Sequence, residues 1–354
     1  MVARLLHVND ISSPVAWKML RAVRDAHGHV PGVKAVNCDA ETFAKLRGEY
    51  GAEVLIARHI LANVDLTSSP KNAGERWFYS LLPALTALAH VVDFVEVPVN
   101  ERFSGSGEIG RFAEASARFV ELAADKGVRV IVGNFSTGTP EPQDAALFLP
   151  AMETAFVHGG ALGLHEYGLP NDLALTWEIG RWVRFYEACA RQWPDAWKLQ
   201  LYLTEFGVDG GNEKPPRPRA QAGWRAYYNG PTAGAQYAAW LDRAVQEEEN
   251  FDAFQDVLRG VCLFNCGDYA DNSWASFEVG GAPELVAWVA ASPKATTPGP
   301  TPTPTPAATV DYGKVVWFLE DAQRRAEGEG LQSVSDFIGS RYTADAKARR
   351  DGKA

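Results

Sequence analysis

The sequence predicts an α/β protein: a closed (β/α)8 TIM barrel followed by a Pro/Thr-rich linker and a small helical C-terminal tail. Three observations carry this. Eight short, mostly apolar runs recur along roughly the first 290 residues. Most are separated by stretches with helical periodicity, the alternation that puts parallel strands at a centre and helices around it. No GxGxxG turn follows the first run, so the open doubly wound sheet, the structural rival, lacks its usual signature.

The runs cover residues 3–9, 32–37, 52–58, 91–99, 128–134, 163–166, 199–204 and 260–265. Most are apolar throughout, as strands covered on both faces should be. Between them, 77–90, 110–126, 175–192 and 234–248 space their apolar residues as helices do. The barrel is assigned to residues 1–293. Residues 294–309 form the linker, whose alternating Thr and Pro can neither pair nor pack and favour an extended polyproline-type spacer. Residues 310–354 form a helical appendage, with an amphipathic stretch at 312–326 and a second at 331–342, free to dock on the barrel or on a partner protein.

Composition narrows the function classes. The chain has 354 residues, 46% of them hydrophobic, enough for one large core plus an appendage. Its net charge of −10 and the lack of a basic cluster argue against nucleic-acid binding. No apolar run is long enough to span a bilayer. The cysteines, Cys38, Cys189, Cys262 and Cys266, include no CxxC pair and read as buried free thiols. Cys262 and Cys266, four apart in one run, are expected on the same strand face, too distant to bond. The chain enters its first strand without a signal peptide. Either the protein is cytosolic or a signal was removed, and the Pro/Thr linker favours a secreted or cell-surface setting.

In a (β/α)8 barrel, chemistry sits at the C-terminal ends of the strands. There this chain places His7, Asn9 and Asp10; Asn37 and Asp39; Arg58 and His59; Asn100 and Glu101; Asn134; His165, Glu166 and Tyr167; Thr204 and Glu205; and Asn265, Asp268 and Trp274. A structural barrel does not need that density of polar groups. Glu101 and Glu205 stand out, because each closes an apolar run and a carboxylate costs several kcal/mol to bury without partners. Two carboxylates on separate strands of one barrel are what glycoside hydrolysis requires.

With Asn100-Glu101 after the fourth strand and Thr204-Glu205-Phe206-Gly207 at the seventh, the chain resembles the clan A glycoside hydrolases, the retaining 4/7 barrels. The resemblance covers about residues 3–290. It implies that Glu101 is the acid/base, Glu205 the nucleophile and Asn100 a ligand of the sugar 2-hydroxyl. It also implies that Tyr167 or His165 touches the nucleophile and that Trp274 floors the reacting subsite. Arg58, His59, Asn134 and His7 complete the expected substrate-binding set. The substrate would be a β-linked oligo- or polysaccharide, and no metal or organic cofactor is implied. The chain departs from the clan in lacking a Pro after Glu101, in having Arg58 on strand three where the clan has a strand-two Arg, and in matching no single family within it.

Blander readings stand beside these. Glu166 is a rival acid. Glu96, inside its strand, reads as a paired structural charge. His27-Gly28-His29 falls on the wrong face of the barrel for a metal pair. Trp177, Trp182, Trp224 and Trp240 read as packing, with the alternative that Trp224, with Tyr227 and Tyr228, lines the cleft. The functional rivals are a non-catalytic glycan-binding barrel and a metal-dependent barrel hydrolase, the latter short of ligand clusters at its strand ends.

Overall fold

The computed structural model describes residues 2–61, 65–66, 69–99, 105–170, 173, 177–213, 216–218, 221–253 and 256–294. Asn100, Glu101, most of the Pro/Thr linker and the whole 310–354 tail lie outside the described residues.

The strands are β1 (Ala3–Val8), β2 (Gly32–Val36), β3 (Val54–Arg58), β4 (Phe94–Glu96), β5 (Val130–Phe135), β6 (Ala161–Gly168), β7 (Gln200–Val208) and β8 (Leu258–Cys266). All pair in parallel, each with its neighbours in chain order, and β8 closes on β1. The predicted (β/α)8 barrel is therefore the observed fold. Around it lie α1 (Pro14–His27), α2 (Ala40–Tyr50), α3 (Pro70–Leu88), α4 (Ser106–Ala124), α5 (Pro142–Ala145), α6 (Leu149–Val157), α7 (Arg181–Ala190), α8 (Ala233–Asp252) and α9 (Pro283–Ala290). Among the described residues, no helix is long and apolar enough to cross a membrane.

Side-chain alternation divides each strand between two cores. Leu6, Val33, Leu55, Val95 and Leu162 pack outward in the core shared with the helices. Leu5, Val54, Ile56, Phe94, Ile131, Ala161, Tyr202 and Cys262 form an apolar plug inside the barrel. Two residues further along β1, β3, β4 and β7 the interior turns polar: Leu5 is followed by His7, Ile56 by Arg58, Phe94 by Glu96 and Tyr202 by Thr204. The plug supplies the hydrophobic floor, and the next layer up carries the charges.

Two expectations change in detail. β6 and β7 run beyond 163–166 and 199–204, so Glu205 lies within a strand and not at its end. Cys262 and Cys266 do not share a face: Cys262 belongs to the interior plug and Cys266 to the outer core. The cause is a slip in the β1–β8 register, which pairs Leu6 with Leu263 but Val8 with Cys266, so one extra β8 residue reverses the alternation. All four cysteines are buried free thiols.

Gly163 marks the tightest approach inside the barrel. A Cβ there would lie 2.7 Å from Ile131 Cγ2, 3.2 Å from Thr204 Cγ2 and in collision with Asn134 Oδ1. Gly163→Ala should therefore destabilise the fold by about 1–3 kcal/mol through overpacking, measured by urea denaturation. A loss within experimental error would show that the layer can yield.

Candidate active site

Glu205 is the hub of the polar layer. Its carboxylate is 6% exposed and is held from several strands at once. From β3, Arg58 Nη1 donates to Oε1 at 2.7 Å. From β6, the Tyr167 hydroxyl donates to Oε2 at 2.8 Å, and His165 Nδ1 lies 3.4 Å from the same oxygen. From β2, Lys34 Nζ lies 3.5 Å from Oε1; from β1, His7 Nδ1 lies 3.9 Å from it. Burial by itself would raise the Glu205 pKa. His165, Lys34, His7 and Arg58 outweigh it and hold the carboxyl well below the usual glutamate value. Burial, reinforced by Lys34, pushes His7 well below the ordinary histidine value.

Two bulges make this convergence possible. Consecutive residues of a regular strand point to opposite faces. β6 pairs Leu164 with Leu203 but His165 with Glu205, so β7 holds one extra residue, Thr204. With that insertion, Thr204 and Glu205 both reach the interior. β5 does the same at Asn134, which sits between Gly133 and Phe135 in the β6 pairing with a left-handed φ of 56°. Asn134 Oδ1 accepts from Thr204 Oγ1 at 3.2 Å, tying the two bulges together. A third clamp is Thr137, whose hydroxyl donates to the His165 carbonyl and accepts from the Tyr167 N–H, at 3.2 and 2.9 Å. It fixes both residues that face Glu205 from β6.

An aromatic wall adjoins the carboxylate. Phe264 on β8 meets His7, Tyr167, Trp274 and Phe277 edge to face, with centroids 4.8, 5.8, 5.0 and 5.5 Å away. Of the polar residues near the strand ends, His7 Nδ1, Asn9 Nδ2, His59 Nε2, Asn134 Nδ2 and both side-chain amide atoms of Asn265 are buried without a hydrogen bond to a described residue. Among the described residues, no cluster of His, Cys, Asp or Glu is arranged to hold a metal ion.

No family model matches the chain, and no curated protein does. Solved structures do resemble it. One is a sugar phosphate isomerase/epimerase from Parabacteroides distasonis ATCC 8503, at 11% identity and a TM-score of 0.46, covering 84% of this chain and 96% of the other. Another is a modular endo-β-1,4-mannanase from Cellulomonas fimi, of glycoside hydrolase family 26, at 15% identity and a TM-score of 0.45, covering 85% and 76%. Likenesses this distant do not bear on chemistry.

Of the residues singled out by sequence, Arg58, His7, His165 and Tyr167 surround Glu205, Asn134 reaches it through Thr204, and Trp274 stands behind Phe264. His59 is half-buried just past β3, and burial lowers its pKa. One aromatic packing reading holds and one reverses. Trp224 is buried and stacked on Tyr237, with centroids 4.9 Å apart, and does not line a cleft. Trp177, read as packing, is 48% exposed. Lys34 was missed, although a lone lysine in an apolar run carries the same signal that picked out the two glutamates.

Glu166, the rival acid, points away from Glu205. Its oxygens accept from the Gly180 and Trp182 amides at the start of α7, at 2.8 and 3.0 Å. Glu248 on α8 accepts from the same Gly180 amide at 3.0 Å and from Trp182 Nε1 at 2.6 Å. Burial and the neighbouring Glu248 raise Glu166 well above the ordinary carboxyl value, and burial raises Glu248 too. The pair caps the start of the helix, and both groups hold protons more tightly folded than unfolded. Their stabilising contribution is fully present below the unfolded value of 4.5 and is lost as pH rises through the folded values. Glu248→Gln, whose amide can donate to Glu166 at any pH, should flatten the decline in urea stability as pH rises above 4.5. An unchanged slope would show that the pair holds no extra proton.

Proposed function

We propose that the protein is a retaining glycoside hydrolase that cleaves β-linked oligo- or polysaccharide, with Glu205 as nucleophile and Glu101 as acid/base. The observation that supports this most is the state of Glu205: a buried carboxylate at the catalytic end of a barrel, kept ionised by two fixed cations and oriented by a tyrosine hydroxyl. The buried Glu166 and Glu248 differ from it: they face backbone amides and an indole N–H, and burial raises both. Glu101 lies outside the described residues, and its role rests on the Asn100-Glu101 motif after strand four.

The chemistry follows by double displacement. A Glu205 oxygen attacks the anomeric carbon while the bond to the leaving oxygen breaks, and that oxygen takes the proton of Glu101. Glu101, now a carboxylate, removes a proton from water, which attacks the same carbon and frees Glu205. Tyr167 and Arg58 hold separate oxygens of the nucleophile and fix the plane of its carboxylate. The aromatic cluster of Phe264 and Trp274 offers apolar surface to a sugar face.

The test is hydrolysis of aryl β-glycosides, β-glucans, mannans, xylans and peptidoglycan by the wild type, Glu101→Gln and Glu205→Gln. Each variant should lose about 10²–10⁴-fold or more in turnover of an unactivated substrate. Azide should rescue Glu205→Ala by replacing the nucleophile. Because Glu205 is held low, the acid limb of kcat/KM should fall below pH 4.5. Glycan binding in all three proteins with no turnover would favour a non-catalytic glycan-binding barrel.

A further inference from the structure

Glu96 takes no part in the mechanism above and Lys34 enters it only as a charge beside Glu205, yet both are wholly buried. Lys34 Nζ lies 3.1 Å from Glu96 Oε1 and 3.5 Å from Glu205 Oε1, and donates to the Thr204 carbonyl at the β7 bulge at 2.9 Å. Arg58 spans the same two acids, with Nε 3.5 Å from Glu96 Oε2 and Nη1 2.7 Å from Glu205 Oε1. Each cation thus touches both carboxylates. We propose that Lys34 and Glu96 are positioning residues that act through Glu205, Glu96 serving as the counter-ion that keeps Lys34 and Arg58 partnered while Glu205 is esterified to a sugar.

The inference rests on the glycosidase reading and follows from charge. In the free protein two cations face two carboxylates. When Glu205 bonds to the anomeric carbon its negative charge passes to the leaving oxygen, which is neutralised by the proton of Glu101. Two buried cations then face Glu96 alone. Without Glu96 they would face no carboxylate, and removing one partner from a buried pair is strongly destabilising. Ester formation would be opposed, and Glu205 would be too well stabilised as an anion to attack. Lys34 acts in the opposite sense, lowering the basicity of Glu205. A buried ion pair is often no more stabilising than apolar residues of the same volume, so stability alone is a weak reason to interrupt an interior otherwise filled by Leu5, Ile56, Phe94 and Tyr202.

The titration of Glu205 reads this balance directly. The other groups facing the cluster are His7 from β1, Arg58 from β3, His165 and Tyr167 from β6, Cys262 from β8 and Tyr269 after β8. None is altered in Lys34→Met, Glu96→Gln or the double variant. The carboxyl carbon of Glu205 would be followed by carbon-13 NMR in glutamate-labelled protein, assigned by its loss in Glu205→Gln, beside the pH profile of kcat/KM. Lys34→Met should raise the Glu205 titration by about one pH unit or more. Adding Glu96→Gln to it should move the titration back down by a similar amount, with the double variant within a few tenths of a unit of wild type. Glu96→Gln alone should lower kcat/KM on an unactivated substrate by tenfold or more with KM little changed, and the double variant should recover most of that loss. A merely structural pair would change stability in each variant but leave the Glu205 titration in place, and that result overturns the proposal. The double variant leaves no unpaired charge, so it decides the question if a single variant does not fold: a titration more than one unit from wild type rejects the balance. Titration shifts as expected without turnover in any protein would overturn the glycosidase reading instead, and with it the catalytic role of the pair.

Discussion

A carboxylate cannot sit inside a closed barrel without compensation, and much of the polar layer follows from placing Glu205 there. Burial opposes its charge, so the fold supplies Arg58 and Lys34 within 3.5 Å and a tyrosine hydroxyl at 2.8 Å. Those cations are themselves buried and require Glu96. The resulting cluster draws on β2, β3, β4 and β7, so it can form only when the barrel has closed in the right register. Electrostatics and topology therefore select the same structure.

Regular strands would not have been sufficient. Strict alternation would send Thr204 and Glu205 to opposite faces, and Asn134 could not meet Thr204. The extra residues in β5 and β7 solve both problems locally, at the point where the apolar plug gives way to the polar layer. The irregularity in β8 also turns Cys266 outward, away from the charged interior.

The fold was legible because alternating strands and helices leave periodic signals that survive without tertiary detail. All eight strand-like runs correspond to strands. Boundaries were less legible: β6 and β7 continue past the last uniformly apolar residue because their polar ends, His165 to Tyr167 and Thr204 to Glu205, still pair in the sheet. The same polar ends pointed to Glu205, Tyr167, His165, His7 and Arg58, which the fold gathers at one place. Glu166 misled because it looks identical to its neighbours in sequence while alternation sends it outward to α7 and α8. Lys34 escaped notice because no motif surrounds it, and its partners Glu96 and Glu205 are distant in the chain. The exposure of Trp177 and the choice between two readings of Trp224 were not legible, because both depend on tertiary neighbours such as Tyr237, which composition cannot reveal.

β6 is anchored from both sides. Inward, His165 and Tyr167 face Glu205; outward, Glu166 grips the first amides of α7. The connection between Gly168 and Gly180 therefore begins and ends at points fixed independently of its own length. A change in the length of that connection would therefore leave the residues that face the carboxylate where they are.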